Sequence, residues 1–475
     1  MSSRADSSQH SEKQHTQQHT GGGRSTPRDK EAASSTGSKI VEFAGDPVFL
    51  RLSADTRAFI AEKAEELRLS FQDLRGLIDM AADFEMWQMP GLPELWDESE
   101  TEKLTGKVRR RRILDRLIAR RREEKEKGPD YEALDGGPAP SDPIRYEYLE
   151  EDATILGTCP VAGEKTRCCN LQTLDAVQQC GFACSYCAIQ SFYGEGKVFF
   201  FEDLEAKLRE LSKSLDPDKI YHIGTGQSSD SLMWGNRGGL LDSLLSFAAE
   251  NPNVILELKS KSALTGPLLS RDIPPNVLAT WSLNPDEVIR NEEHLTAGLD
   301  ARIAAARRAA DAGLLVGFHF HPIIRFEGWR ERYGEIYRRL QDEFSPEEVA
   351  LVSFGTLTYA RPVVRLIRRQ KIKSGVLKMP FENIAGKLSY PFELKRELFS
   401  HAYGSFSEEW HRQVFFYLCM EDPRLWEPVF GRSYASNEEF EEAMKSAYMR
   451  KIRTAGRRMA PHAPTPSPNR RADRE

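Results

Sequence analysis

The sequence predicts an α/β fold: a partial (β/α)6 barrel of the TIM type, with a helical region before it and a small extension after it. Three observations carry this. From residue 170 onward, short apolar runs alternate with segments of helical periodicity, as strands feeding helices in a parallel sheet do. About six such units are present, too few for a closed eight-stranded barrel. Six of the seven cysteines crowd into residues 159–187, at the start of the alternating stretch.

Residues 1–45 are rich in Ser, Gln, His, Gly and Thr without apolar periodicity and read as a disordered tail, as does the Pro/Arg-rich segment 453–475. Residues 46–150 read as helical. Phe59, Ile60, Ala64, Leu67 and Leu69 form one stripe, and Leu74, Leu77, Ile78 and Ala81 another. The run Lys107-Val-Arg-Arg-Arg-Arg112 continues through Arg116, Arg120, Arg121 and Arg122, with Ile113, Leu114, Leu117 and Ile118 as an apolar side. This is an amphipathic basic helix, suited either to phosphate contacts or to a solvated face. Gly136, Gly137, Pro138, Pro140 and Pro143 mark a boundary. The barrel is expected over 151–360, with strands at 171–177, 219–223, 254–259, 277–283, 314–320 and 349–354. Residues 361–452 read as a substrate-binding region. There Arg361, Arg365 and Arg368 share a helix face, followed by Arg369, Lys371 and Lys373.

A net charge of -6 argues against a generic polyanion binder, so any nucleic-acid surface is a local patch. No apolar run is long enough to span a membrane and no signal-peptide pattern opens the chain, which reads as cytoplasmic. Cysteines crowded into one part of a large chain point to metal or cluster chemistry rather than a disulfide framework.

The segment Cys180-Gly-Phe-Ala-Cys184-Ser-Tyr-Cys187 follows the first strand, at the catalytic face of such a barrel. Three thiolates in one loop can bind three irons of a [4Fe–4S] cubane and leave the fourth open. An open iron can chelate S-adenosylmethionine, whose reductive cleavage yields a 5′-deoxyadenosyl radical that abstracts hydrogen. With Tyr186 just before the last cysteine, the segment resembles the radical S-adenosylmethionine superfamily. The rival reading is a zinc knuckle completed by Cys168, Cys169 or a histidine. A second cluster on Cys159, Cys168, Cys169 and Cys419 is disfavoured, because neighbouring side chains of an extended segment point opposite ways. Local packing or a redox role near the active site suits those four better.

Further residues narrow the resemblance. Cys187-Ala-Ile-Gln190, Ser228-Ser229-Asp230, Lys259, Ser282-Leu-Asn284, Ala312-Gly313 with Gly317, Pro322-Ile323 and Glu327-Gly328-Trp329 resemble the spore photoproduct lyase family, over roughly residues 170–400. That family repairs a thymine dimer formed by ultraviolet light in spore DNA. The resemblance implies that Tyr186, Ser228, Ser229, Asp230, Lys259 and Ser282 line the S-adenosylmethionine pocket. It implies that Lys387 and Tyr390 belong to the substrate region, where a flipped-out lesion meets the radical. DNA is then the partner, with an electron donor such as a flavodoxin or ferredoxin. His319 and His321 alternate along the fifth strand and are expected inside the barrel, in substrate contact or simply buried.

One position departs from the family. Its hydrogen-donor cysteine, just before the Ser/Thr-Ser-Asp run, is Gln227 here. Either Cys168, Cys169 or a tyrosine does that work, or the reaction differs. Three functions follow: a spore photoproduct lyase-like enzyme on DNA, a radical S-adenosylmethionine enzyme with another substrate, and a zinc-dependent nucleic-acid-binding protein.

Overall fold

A computed structural model describes residues 39–459 apart from 100, 102, 135–143, 150–153, 160–164, 188–195, 371 and 385. Both long tails, the Gly/Pro boundary at 136–143, Gln190 and Lys371 thus lie outside the described residues. Two tail boundaries shift. Lys39–Phe43 is a 3-10 helix with Phe43 buried, and the last helix, Asn437–Met459, runs past residue 453.

Eight strands make the main sheet, in the order Phe415–Leu418, Val349–Thr356, Leu315–Ile323, Val277–Ser282, Val254–Ser260, Tyr221–Gly224, Gln172–Leu174 and Leu156–Thr158. Every neighbouring pair is parallel except the last. The six expected strands are therefore present. The first is shorter than expected, because Val177–Gln178 leaves the sheet to pair with Lys197–Phe201. A seventh parallel strand, Phe415–Leu418, comes from the region that the sequence reading placed beyond the barrel. It is a single short apolar run after a helix, so nothing local marks it as part of an alternating series.

The sheet curls into a half-barrel whose two edges are bridged. Arg167 forms an antiparallel bridge with Glu421, and Cys159 Sγ lies 3.9 Å from Met420 Sδ. Cys159 follows one edge strand and Met420 the other. Period two along each strand then sorts the side chains. Phe318 and Phe320 turn outward onto Phe344 and Tyr337. His319 and Glu257 turn inward and meet across the interior, at 2.7 Å.

The N-terminal helices Ala54–Glu66 and Phe71–Met86 bury the expected stripes, including Ile60, Leu74, Leu77 and Ile78. Ser70 and Asp73 form a capping box that fixes the start of the second. The basic helix is Gly106–Lys127, but most of its cations are spent inside the protein. Arg109 pairs with Glu66 and Glu98, Arg110 with Asp73, Arg116 with Asp97 and Arg121 with Asp83. The arginines of helix Arg361–Arg369 behave alike: Arg365 pairs with Asp46, while Arg368 pairs with Asp79 and the fully buried Asp83. Asp83 thus ties three helices together. This corrects the phosphate-contact expectation for Arg368, because burying Asp83 requires cations around it. Among the described residues no helix is long and apolar enough to cross a membrane.

Candidate active site

The cysteine loop is seated by two contacts with distant segments. Gly181 packs where a methyl group would stand 2.4 Å from Met233 Cε and 2.9 Å from Trp234 Cη2, so any larger residue would have to displace those side chains for the loop to seat. Ala183–Cys184 then pairs antiparallel with Glu293–His294, Cys184 opposite Glu293. Ser185 N donates to the Glu292 carbonyl at 2.8 Å, and Cys187 N to the Cys184 carbonyl at 3.1 Å.

Glu292 and Glu293 were not anticipated from sequence, yet they hold this loop. Glu292 ends helix Asp286–Glu292 and Glu293 opens the short strand, and the two carboxylates grip different partners. Glu292 accepts from the Ser185 hydroxyl, from Tyr131 at 2.9 Å, from Ser374 at 2.7 Å and from Gly375 N at 2.7 Å. Burial lifts its pKa to about 7 against those hydrogen bonds. Glu293 accepts from the Tyr186 hydroxyl and from Asn284 at 2.7 Å, and forms a fully buried ion pair with Arg302 at 2.5 Å. Arg302 also donates to the Ser282 carbonyl at 2.9 Å. Tyr186 is therefore locked in place by hydrogen bonding and burial.

The three thiols share one electrostatic neighbourhood. Burial pushes the Cys184 thiol well up, Lys261 opposes this, and Cys187 and Cys180 add to it. Among the described residues no cysteine is in a disulfide, and no three His, Cys, Asp or Glu side chains close on one point as a single metal ion requires.

Below the loop, the barrel interior is layered. The deeper layer holds His222, Glu257, Thr280, His319 and Ser353. Glu257 accepts from His222 at 2.8 Å, His319 at 2.7 Å and Thr280 at 2.8 Å, and His319 Nδ1 meets Ser353 Oγ at 2.6 Å. Burial works against the Glu257 charge, but His319 and His222 outweigh it and hold the carboxyl well below its usual range. Burial, then Lys259, pushes the His319 imidazole down to about 4. Neither Glu257 nor His222 was singled out from sequence; only the interior position of His319 and His321 was.

Two residues further along the strands stands the upper layer, with Lys259, Ser282, His321 and Cys419. Lys259 makes no hydrogen bond or ion pair to a described residue, and burial and Lys261 lower its pKa. His321 Nε2 is buried without a hydrogen-bond partner. A half-buried cation without an ion pair to a described residue and an orphaned imidazole nitrogen in one layer are what an anionic ligand would satisfy. Loop 224–230 closes over this layer: a methyl on Gly226 would lie 2.6 Å from Lys259 Cβ.

The remaining sequence candidates sort as follows. The Ser228 hydroxyl donates to Asp175 at 2.6 Å, and that of Ser229 accepts from Trp234 at 2.8 Å. Asp230 accepts from Ser260, Lys261 N, Leu232 N and Met233 N. These three side chains brace the loop that borders the upper layer. Gln227 sits in that loop, half-buried, with no hydrogen bond to a described residue. Tyr390 is fully buried, stacked on Phe381 and bonded to Met379 and Arg325 N, which puts it in the core rather than on an open substrate wall. Lys387 lies half-buried on strand Lys387–Ser389. A cleft of about 410 Å³ opens at the other end of the strands, under helix Asn437–Met459.

The expectation that Cys168 and Cys169 point apart does not hold. The chain turns immediately after them (Asn170 is left-handed, φ 50°), and the electrostatic environment of the Cys169 thiol includes both Cys168 and Cys419.

Comparison with known proteins agrees with this geometry. Residues 173–387 match the family described as spore photoproduct lyase. A spore photoproduct lyase of Clostridium acetobutylicum is 25% identical over 181 residues, 37% of this chain and 53% of that protein. That of Bacillus subtilis is 36% identical over 97 residues, 20% of this chain and 28% of that protein. The chain thus spans about half, or less, of the curated relatives it matches. A solved structure of spore photoproduct lyase complexed with dinucleoside spore photoproduct superposes with a TM-score of 0.50 at 20% identity, over 57% of this chain and 82% of that one, which shows the shared fold. Residues 173–387 thus resemble spore photoproduct lyase in sequence, and the chain shares that protein's fold.

Proposed function

We propose that this protein is a radical S-adenosylmethionine lyase acting on a thymine lesion in ultraviolet-damaged DNA. The observation that carries the reading is a three-thiol loop locked over an interior layer whose half-buried cation, Lys259, makes no hydrogen bond or ion pair to a described residue. Cys180, Cys184 and Cys187 would hold a [4Fe–4S] cluster, and Lys259 with Ser282 would hold S-adenosylmethionine. Bound, they supply one-electron cleavage of a sulfonium S–C bond and hydrogen abstraction by the carbon radical released.

The chain's own residues do the rest. Glu292 fixes the loop through Ser185 and couples it to Tyr131 of the N-terminal region and to Ser374 and Gly375. Glu293 and Arg302 fix Tyr186 and the end of strand Val277–Ser282. Lys259 offers its charge to a carboxylate, and Ser228, Ser229 and Asp230 hold the loop that walls the pocket. An electron carrier of the ferredoxin or flavodoxin class supplies the electron.

Gln227 favours a second reading, a radical S-adenosylmethionine enzyme with a different substrate. One anaerobic assay separates them. Reconstituted protein, reductant and S-adenosylmethionine are incubated with dinucleoside spore photoproduct, and released thymine and 5′-deoxyadenosine are measured. Both products support lesion repair. 5′-Deoxyadenosine with an intact lesion supports the second reading, and a colourless, zinc-loaded protein refutes both.

A further inference from the structure

The geometry points to Cys419 as the residue that gives a hydrogen atom to the product radical, with Cys169 and Cys168 behind it as a thiol relay. This rests on the radical reading above. A carbon radical left in a water-poor barrel is quenched by the weakest X–H bond within reach, and among side chains that is a thiol. The amide of Gln227 cannot serve.

Of the seven cysteines, three belong to the loop and would be spent as ligands. Of the other four, Cys159 and Cys419 each continue an interior position of an edge strand, and the Cys159 thiol lies against Met420 Sδ at 3.9 Å, which leaves Cys419. It lies two residues after Tyr417, which stands opposite the interior Ser353 in the sheet, so both face inward. Its amide donates to the Phe354 carbonyl at 2.8 Å, which extends the strand and fixes the direction of the side chain. It therefore stands in the layer of Lys259, and Lys259 feels the charge state of the Cys419 and Cys159 thiols. Cys159 is turned to Met420 instead.

Behind Cys419 the thiols continue inward. Cys169 interacts with Cys419 on one side and Cys168 on the other, and both are buried, 5% and 2% exposed. Cys168 N is tied to Asn437 Oδ1 at 3.1 Å, at the start of the last helix. Tyr417 and Tyr448 stand side by side in the same neighbourhood of Cys169 and Cys419. The oxidisable side chains thus form one continuous group leading away from the upper layer.

The step balances as follows. The Cys419 S–H bond breaks and a product C–H bond forms, leaving a thiyl on Cys419. A hydrogen atom passes from Cys169 to Cys419, then from Cys168 to Cys169. The last thiyl returns to a thiol by one electron from a low-potential carrier protein and one solvent proton.

Two measurements on the full chain test this. In the first, cluster-free protein is oxidised with diamide and its peptides are mapped by mass spectrometry. A Cys169–Cys419 disulfide is expected. Its absence while other thiols oxidise overturns the relay. In the second, wild type and Cys419→Ser are reconstituted in D2O and assayed with dinucleoside spore photoproduct. Wild type is expected to place one deuterium in released thymine. The serine variant is expected to keep forming 5′-deoxyadenosine while thymine release falls at least about tenfold and loses its deuterium. Undiminished, deuterated thymine from Cys419→Ser overturns the assignment and leaves the radical reading intact. A wild type that makes no 5′-deoxyadenosine overturns the radical reading and the relay with it.

Discussion

The seven cysteines fall into two groups that are built in opposite ways. Cys180, Cys184 and Cys187 lie within eight consecutive residues, and a local loop presents them. Cys159, Cys168, Cys169 and Cys419 come from three segments separated by up to 260 residues, and only the meeting of the sheet's edges gathers them. Each group nevertheless has its own buried ion pair. Glu293 with Arg302 holds the first, and Glu421 with Lys395, at 2.5 Å, holds the second. Glu421 also accepts from Thr356 N at 3.0 Å and bridges to Arg167 across the seam. The lesson is that a thiol's chemistry depends on what fixes it: a loop that presents neighbouring ligands together over the interior, or a seam that gathers distant donors.

The sharpest way to break this comparison is iron binding. Cys184→Ala is expected to lose nearly all of the roughly four irons per chain that wild type takes up on anaerobic reconstitution, whereas Cys419→Ala keeps them. Iron assay and absorbance near ~400 nm decide it. Equal loss in both variants would erase the distinction between ligand and donor.

Next come the two clamps. Arg302→Ala leaves Glu293 as an unpaired buried charge and is expected to cost ~3–5 kcal/mol in urea unfolding, with Tyr186 loosened and iron uptake reduced. Glu421→Ala strands the buried Lys395 and is expected to cost roughly 3 kcal/mol, with iron uptake unchanged. Cross-over of the two iron phenotypes would show that the groups are not held independently.

A smaller effect concerns the floor beneath both groups. His319 has its pKa lowered from 6.5 to about 4 by burial and Lys259. Between those values the unfolded chain binds a proton that the folded one refuses. Stability is therefore full above 6.5 and falls with pH by up to ~1.4 kcal/mol per pH unit across the window. Urea midpoints at about pH 7.5 and about pH 5.5 should show this, and His319→Gln should flatten the slope. The least effect is expected at the surface: Arg365→Ala, breaking a half-exposed pair with Asp46, should change stability by less than ~1 kcal/mol.

Much of this was legible in the chain. The strand–helix alternation, the cysteine spacing and the interior parity of His319 and His321 follow from periodicities of two and 3.6, which a sequence displays directly. The basic runs misled, because a row of arginines looks the same whether it meets phosphate or buried carboxylates. Asp83 decided the matter, and its burial is invisible until three helices pack around it.

By itself, then, the sequence determined the half-barrel, the three-thiol loop and the family resemblance, since each is written in residues close together along the chain. Only the tertiary structure decided that Glu292 and Glu293 lock that loop, that Tyr390 is core, and that Phe415–Leu418 brings Cys419 beside Cys169. These are contacts between distant segments. They exist because the curled sheet must close its edges and satisfy every buried charge.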